Sequence, residues 1–192
     1  MKFILFILFL AISIIAFAAL YEVNFINYSS PIPYSQINSI TFKDFKGFKK
    51  PAQTLNGIQE FAFIKTSRKI DFISNNTVTA TTYFHPSRSY VFNQRLRNPD
   101  LLSHELYHFH IAEYITRLLR KEISEYNGNL TLNKIESLRK KYFYIENEIQ
   151  FDYDDQTDHS YAFKEQKLWQ SKIDSNLNSL ALFKNSIILL QK

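Results

Sequence analysis

Within His104-Glu105-Leu106-Tyr107-His108, two imidazoles and one carboxylate have the types and spacing of a hydrolytic metal site. At about 100° per residue of α-helix, His104 and His108 lie roughly 40° apart and one turn along the same face, so both can ligate one ion. Glu105 falls on the flank of that face, placed to take a proton from a water that the ion activates. The chemistry would be metal-assisted hydrolysis with Glu105 as general base. With 5 histidines in 192 residues, shuffling the composition would give this pattern in roughly one chain in two hundred, so chance is a poor account of it.

The flanking residues predict the helix that this geometry needs. Asn98 suits the N-cap, Pro99 the first helical position, where no N–H is required, and Asp100 the positive end of the helix. From Leu101, apolar residues recur at helical spacing through Ile111, Ile115, Leu119 and Ile123, and Asn127-Gly128 reads as the stop. The motif therefore sits near the start of a long helix with one buried face.

A catalytic zinc takes three protein ligands and keeps one open position, so a third donor must come from elsewhere. Glu113 lies about 180° around the helix from His104, and His110 roughly 200° from His108, so neither should reach the same ion. Glu113 is better placed to pair with Arg117 one turn on. The next donors lie in residues 152–160, at the junction of the following two helices. His159 is the choice, because a third imidazole completes a neutral set, with Asp154, Asp155 and Asp158 as rivals. A calcium loop does not fit the acidic stretch, since Thr157 stands where such a loop needs Gly and Phe163 where it needs Glu.

The composition bounds the rest. A chain of 192 residues with 45% hydrophobic content makes one domain with a real core. The net charge of +5, from 23 basic and 18 acidic side chains, is mild, and the basic clusters at Arg117 to Lys121 and Arg139 to Lys141 occupy helix positions typical of solvated faces. No nucleic-acid role follows. The absence of cysteine excludes disulfides, thiolate catalysis and thiolate ligands, so any metal must use His and carboxylate.

After Met1-Lys2, an apolar run from Phe3 to Leu20 is broken only by Ser13, which reads as an export signal. Ala16-Phe17-Ala18 supplies the small residues for cleavage, making residues 1–18 a signal peptide and residues 19–192 the mature domain. The alternative is an uncleaved membrane anchor through residues 3–20. Either way the domain would work outside the cytoplasm: periplasmic, extracellular or held at the outer face of the cytoplasmic membrane.

In the mature chain, Ile37 to Gly47 reads as a short strand and turn. The runs Ile58 to Thr66, Lys69 to Ser74, Thr77 to Phe84 and Ser89 to Asn93 are rich in β-branched and aromatic residues, with turn signals at Ser67-Arg68, Asn75-Asn76 and His85-Pro86. A second helix is expected from about Leu132 to Phe151, and a third from Phe163 that ends in the apolar Ile187 to Leu190. Strands followed by helices predict an α+β fold: a small antiparallel sheet followed by long packed helices, with the motif on the first long helix.

Several separated segments resemble one family of bacterial exported proteins, long catalogued as a domain of unknown function and described as predicted zinc-dependent proteases. They are Ile40 to Gly47, Ser87 to Tyr90, His104 to Phe109 with Ile111-Ala112-Glu113 and Arg117, Tyr153-Asp154 with Thr157, His159 and Ser160, then Gln166 and Trp169. The likeness spans roughly Ile37 to Ile173. Phe42 stands where the family has Trp, and His110 where an acidic residue is more usual. The resemblance implies a zincin-like fold, an active-site core of His104, Glu105 and His108, and His159 as third ligand.

The expected activity is peptide or amide hydrolysis with one zinc ion per chain and a peptide or protein as substrate. Tyr153 or Tyr161 is expected to donate a hydrogen bond to the oxyanion, and Asp154 to orient a ligand imidazole. Two alternatives are a cell-envelope binding module that keeps the fold without turnover, and an amidase of cell-wall peptides. The sequence leaves substrate preference and oligomeric state open.

Overall fold

The computed structural model describes residues 2–22, 28–47, 61–74, 76–92, 95 and 97–190. Helix α1 (Lys2–Glu22) takes up the apolar N-terminal run, and its large side chains from Phe3 to Phe17 are exposed. Among the described residues, no helix is both long and apolar enough to cross a membrane.

The remainder is α+β, a small antiparallel sheet with three long helices. Strands β1 (Ile32–Pro33), β2 (Ala62–Phe63), β3 (Thr66–Ser74), β4 (Thr77–Phe84) and β5 (Tyr90–Val91) precede α2 (Pro99–Ser124), α3 (Leu132–Thr157), α4 (Phe163–Ser179) and β6 (Ile187–Leu189). Strand β4 is the centre of the sheet. It pairs with β3 from Thr66↔Phe84 to Phe72↔Val78, with β1 at its Phe84 end and with β6 at its Thr77 end, so β3 is an outer strand. Strict alternation in β4 turns Val78, Ala80, Thr82 and Phe84 inward. Val78 and Ala80 meet Ile115, Leu119 and Ile123 of α2, and Ile135, Leu138 and Tyr142 of α3 close the same core. Strand β2 pairs separately with β5.

Four expectations need correcting. Ser67-Arg68 is not a turn, because β3 runs unbroken through both residues in register with Thr82 and Tyr83 of β4. Residues 34–39 and 42–44 form 3-10 helices instead of a strand, the second closed by a capping box between Thr41 and Asp44. Helix α3 continues to Thr157, six residues past the expected end at Phe151, so Asp152, Asp154 and Asp155 are helical. The C-terminal apolar run is β6, paired with β4, because Leu180 ends α4 and a 3-10 turn at Ala181–Phe183 redirects the chain. The start of the first strand run, Ile58 to Glu60, lies outside the described residues, as do Asn75 and Asn93.

Helix α2 is fixed on its far side by a buried charge network, in which Arg117 and Arg120 are buried and not on the solvated face expected of them. Glu113 accepts from Arg117 Nε at 3.1 Å, from Arg120 Nη1 at 2.8 Å and from Thr82 Oγ1 at 2.7 Å. Arg117 also donates to the Leu177 carbonyl, and Arg120 to those of Ala80 and Phe183. Each buried charge thus has a partner, and together they tie α2 to β4 and to the end of α4; removing one would strand the others at a cost of about 3–5 kcal/mol.

Residues 61–65 are held by a short frame next to β4. Lys65 N donates to Ser89 Oγ, His85 N to the Lys65 carbonyl and Phe92 N to that of Phe61, each at 2.8 Å, while His85 Nε2 meets Ser67 Oγ at 2.7 Å. Burial, helped by the Arg88 and Lys65 cations, pushes the His85 imidazole down to about 4 from 6.5. The fold therefore refuses a proton that the unfolded chain accepts: the His85 contribution to stability is complete above pH 6.5 and is lost as pH falls toward 4. His85→Gln should make the decline of the urea midpoint across that window shallower than in the wild type, and an unchanged decline would count against this role.

Candidate metal centre

Helix α2 delivers the motif histidines as its cap predicts. Asn98 Oδ1 accepts from Leu101 N at 2.8 Å, Pro99 occupies the first turn, and His104 and Glu105 are buried within the next. The Nε2 atoms of His104 and His108 stand 3.2 Å apart. Two ligand nitrogens about 2.0–2.1 Å from one tetrahedral ion would be ~3.3 Å apart, so this separation fits a shared ion.

Asp154 reaches the same point from α3, with Oδ1 at 3.1 Å from His104 Nε2 and 3.0 Å from His108 Nε2. His104, His108 and Asp154 form a group whose donor atoms all lie within 4.8 Å of one another, and that group could hold a metal ion. His159, expected as the third ligand, stands behind it: its Nδ1 is 3.6 Å from the same Asp154 oxygen. Asp154, expected as a rival ligand or an orienting acceptor, touches both motif imidazoles.

The chain spends backbone strain to place His159. Asp158, His159 and Ser160 have φ of 46°, 49° and 86°, three consecutive non-glycine residues in the left-handed region. Each costs on the order of 1–3 kcal/mol. Thr157 Oγ1 donates to the Tyr153 carbonyl and Ala162 N to the Thr157 carbonyl, so both ends of the strained run are tied down.

Gln150, which the sequence reading missed, sets the protonation of His108. Its Nε2 donates to the His108 carbonyl at 2.9 Å, so its Oε1 must be the atom facing His108 Nδ1. A carbonyl-type oxygen only accepts, and therefore the proton sits on Nδ1, leaving the Nε2 lone pair of the neutral ring directed at the centre. His104 has no such orienter. Its Nδ1 is buried without a partner, and its ring is instead stacked on Tyr153 at 4.7 Å with a 17° interplanar angle.

Glu146, Gln150 and Asp154 lie one turn apart on α3, and each meets a basic side chain opposite: Arg68, His108 and His104. The only hint in the sequence is the four-residue spacing of these polar groups beside the apolar stripe. Tyr153 sits between the rungs, fully buried against His104, His108 and Trp169, and Tyr161 is exposed and meets Phe61 edge-on. Neither tyrosine is among the residues that line the cleft, and the aromatic body of Tyr153 packs on the two imidazoles. His110 lies apart, on Tyr34, and Glu113 belongs to the buried network, as helix geometry required.

The field at the centre favours positive charge. Burial pushes the His104 imidazole down to about 4. Burial also opposes charge on His108, but Asp154, Glu105 and Gln150 together outweigh it and raise that ring to about 9. Burial alone would raise the Asp154 carboxyl, yet the two imidazoles hold it well below the usual carboxylate range. A carboxylate held ionised beside two imidazole nitrogens suits a divalent cation, which would displace the proton that His108 otherwise keeps. The centre opens into a cleft of about 460 Å³, lined by residues 61–68, by α3 positions from Arg139 to Asp154, and by Glu105.

Against known proteins, the chain matches no family model, no curated protein and no solved structure. Gln150→Ala should weaken zinc binding by roughly 10–100-fold in competition with a chromophoric chelator, with the fold retained; an unchanged affinity would remove Gln150 from the site.

Proposed function

We propose that this chain is an exported zinc-dependent peptidase of the zincin type, as its sequence motifs resemble. The observation that carries the proposal is the 3.2 Å separation of the His104 and His108 Nε2 atoms, with Glu105 beside them at a cleft. A histidine and carboxylate donor set without thiolate suits zinc in a hydrolytic site.

His104, His108 and Asp154 would hold the ion, with His159 poised next to Asp154. Zinc in that position supplies Lewis acidity, which lowers the pKa of water and polarises a carbonyl. Glu105 takes the proton from the attacking water and passes it to the departing amine, one carboxylate serving both transfers. Gln150 and the Tyr153 ring keep the two imidazoles aimed, so no reorientation is needed as charge develops.

An extended peptide suits the cleft. Residues 61–68 border it, and β3 has no strand partner on its outer side among the described residues, which supports substrate binding as an added strand. The apolar N-terminal run supports export, with the centre acting outside the cytoplasm.

Glu105→Gln tests the assignment. The variant should keep its zinc and lose about 10²–10⁴-fold in cleavage of an unfolded protein substrate. Equal binding of a partner by both forms, with cleavage by neither, would favour a binding module instead.

A further inference from the structure

The cleft extends well beyond the metal centre, and its far end is basic. Along α3 the lining positions run from Asp154 back through Gln150, Asn147, Glu146 and Phe143 to Arg139. At about 1.5 Å per helical residue, Glu146 lies ~12 Å and Arg139 ~22 Å from Asp154. In extended peptide, at about 3.3 Å per residue, those distances correspond to about four and about seven residues from the scissile bond. The charges lining this end are Lys65, Arg68 and Arg139 against Glu146.

Arg68 is built into the wall. Its side chain is 8% exposed, its Nε donates to Thr116 Oγ1 at 2.8 Å, and its Nη2 meets Glu146 at 2.6 Å. Two nitrogens of the guanidinium are thus fixed, and Arg68 lines the cleft. A guanidinium immobilised in this way binds a carboxylate without first losing rotamer freedom. Arg139 lies two turns from Glu146 on the same face, with its side chain half exposed and only a 3.8 Å contact to Glu136. Between them, Phe143 presents a ring that is 57% exposed.

Resting on the peptidase reading above, we propose that this end of the cleft is a subsite for an acidic side chain. Arg68 and Arg139 receive the carboxylate, Phe143 packs against its methylene groups, and the enzyme selects peptides carrying Asp or Glu four to seven residues from the cleaved bond. Glu146 anchors Arg68 and repels a misplaced acid, so the selection falls on position as well as charge.

The experiment uses the full chain carrying Glu105→Gln, loaded with zinc, so that bound peptide persists. Labelled dodecapeptides of alanine and serine carry a single Glu, Gln or Lys at each position in turn, and binding is read by fluorescence anisotropy at low and high salt, with zinc content measured on the same samples. Glu at one or two neighbouring positions should bind about 5-fold tighter than Gln, the gain fading at high salt and disappearing in Arg139→Glu. Equal binding of the Glu, Gln and Lys peptides, no peptide binding by zinc-loaded protein, or a Glu preference that survives Arg139→Glu would each overturn the subsite. A Glu preference in protein that takes up no zinc would overturn the hydrolase reading and leave the subsite standing.

Discussion

Two imidazole nitrogens held 3.2 Å apart inside a protein, with a carboxylate oxygen 3.0–3.1 Å from both, form the constraint on which the rest of this structure turns. Such nitrogens can offer lone pairs to one point, and the carboxylate beside them favours a cation there. Without a metal that cation is a proton, and the rise of the His108 imidazole to about 9 expresses this demand. A divalent ion answers it more fully, since one charge centre satisfies all three donors.

Holding the donors there takes two distinct devices. On the near side, α3 presents Glu146, Gln150 and Asp154 at one-turn intervals, so the helix that completes the site also bolts it to β3 and α2 through Arg68 and His108. On the far side, Glu113, Arg117 and Arg120 fix α2 to β4 and the end of α4, which denies the motif helix freedom to rotate. Between them the left-handed run at Asp158, His159 and Ser160 carries strain that a mere connection would avoid with glycine. Strain next to the donor group is consistent with a segment shaped for chemistry.

The parts of this architecture written in local signals could be read from the sequence. The Asn98 cap, Pro99 and the apolar spacing after Leu101 specify α2, and the motif needs only that helix to converge. What escaped depends on distant partners. Helix α3 has no glycine or proline to announce its end, and its acidic turn looks like a loop until Asp154 is seen facing the imidazoles. Gln150 became visible only once its turn of α3 was placed against His108. Ile187–Leu189 is a short apolar run whose spacing suits helix or strand equally, and the choice was made by the open edge of β4.

The most direct test of the metal claim is anomalous diffraction at the zinc absorption edge from crystals of the zinc-loaded chain. The account predicts one strong peak about 2.0–2.1 Å from both His104 Nε2 and His108 Nε2, with Asp154 or His159 completing the protein ligands. A peak elsewhere, or none between the two motif imidazoles at full zinc occupancy in solution, would contradict it.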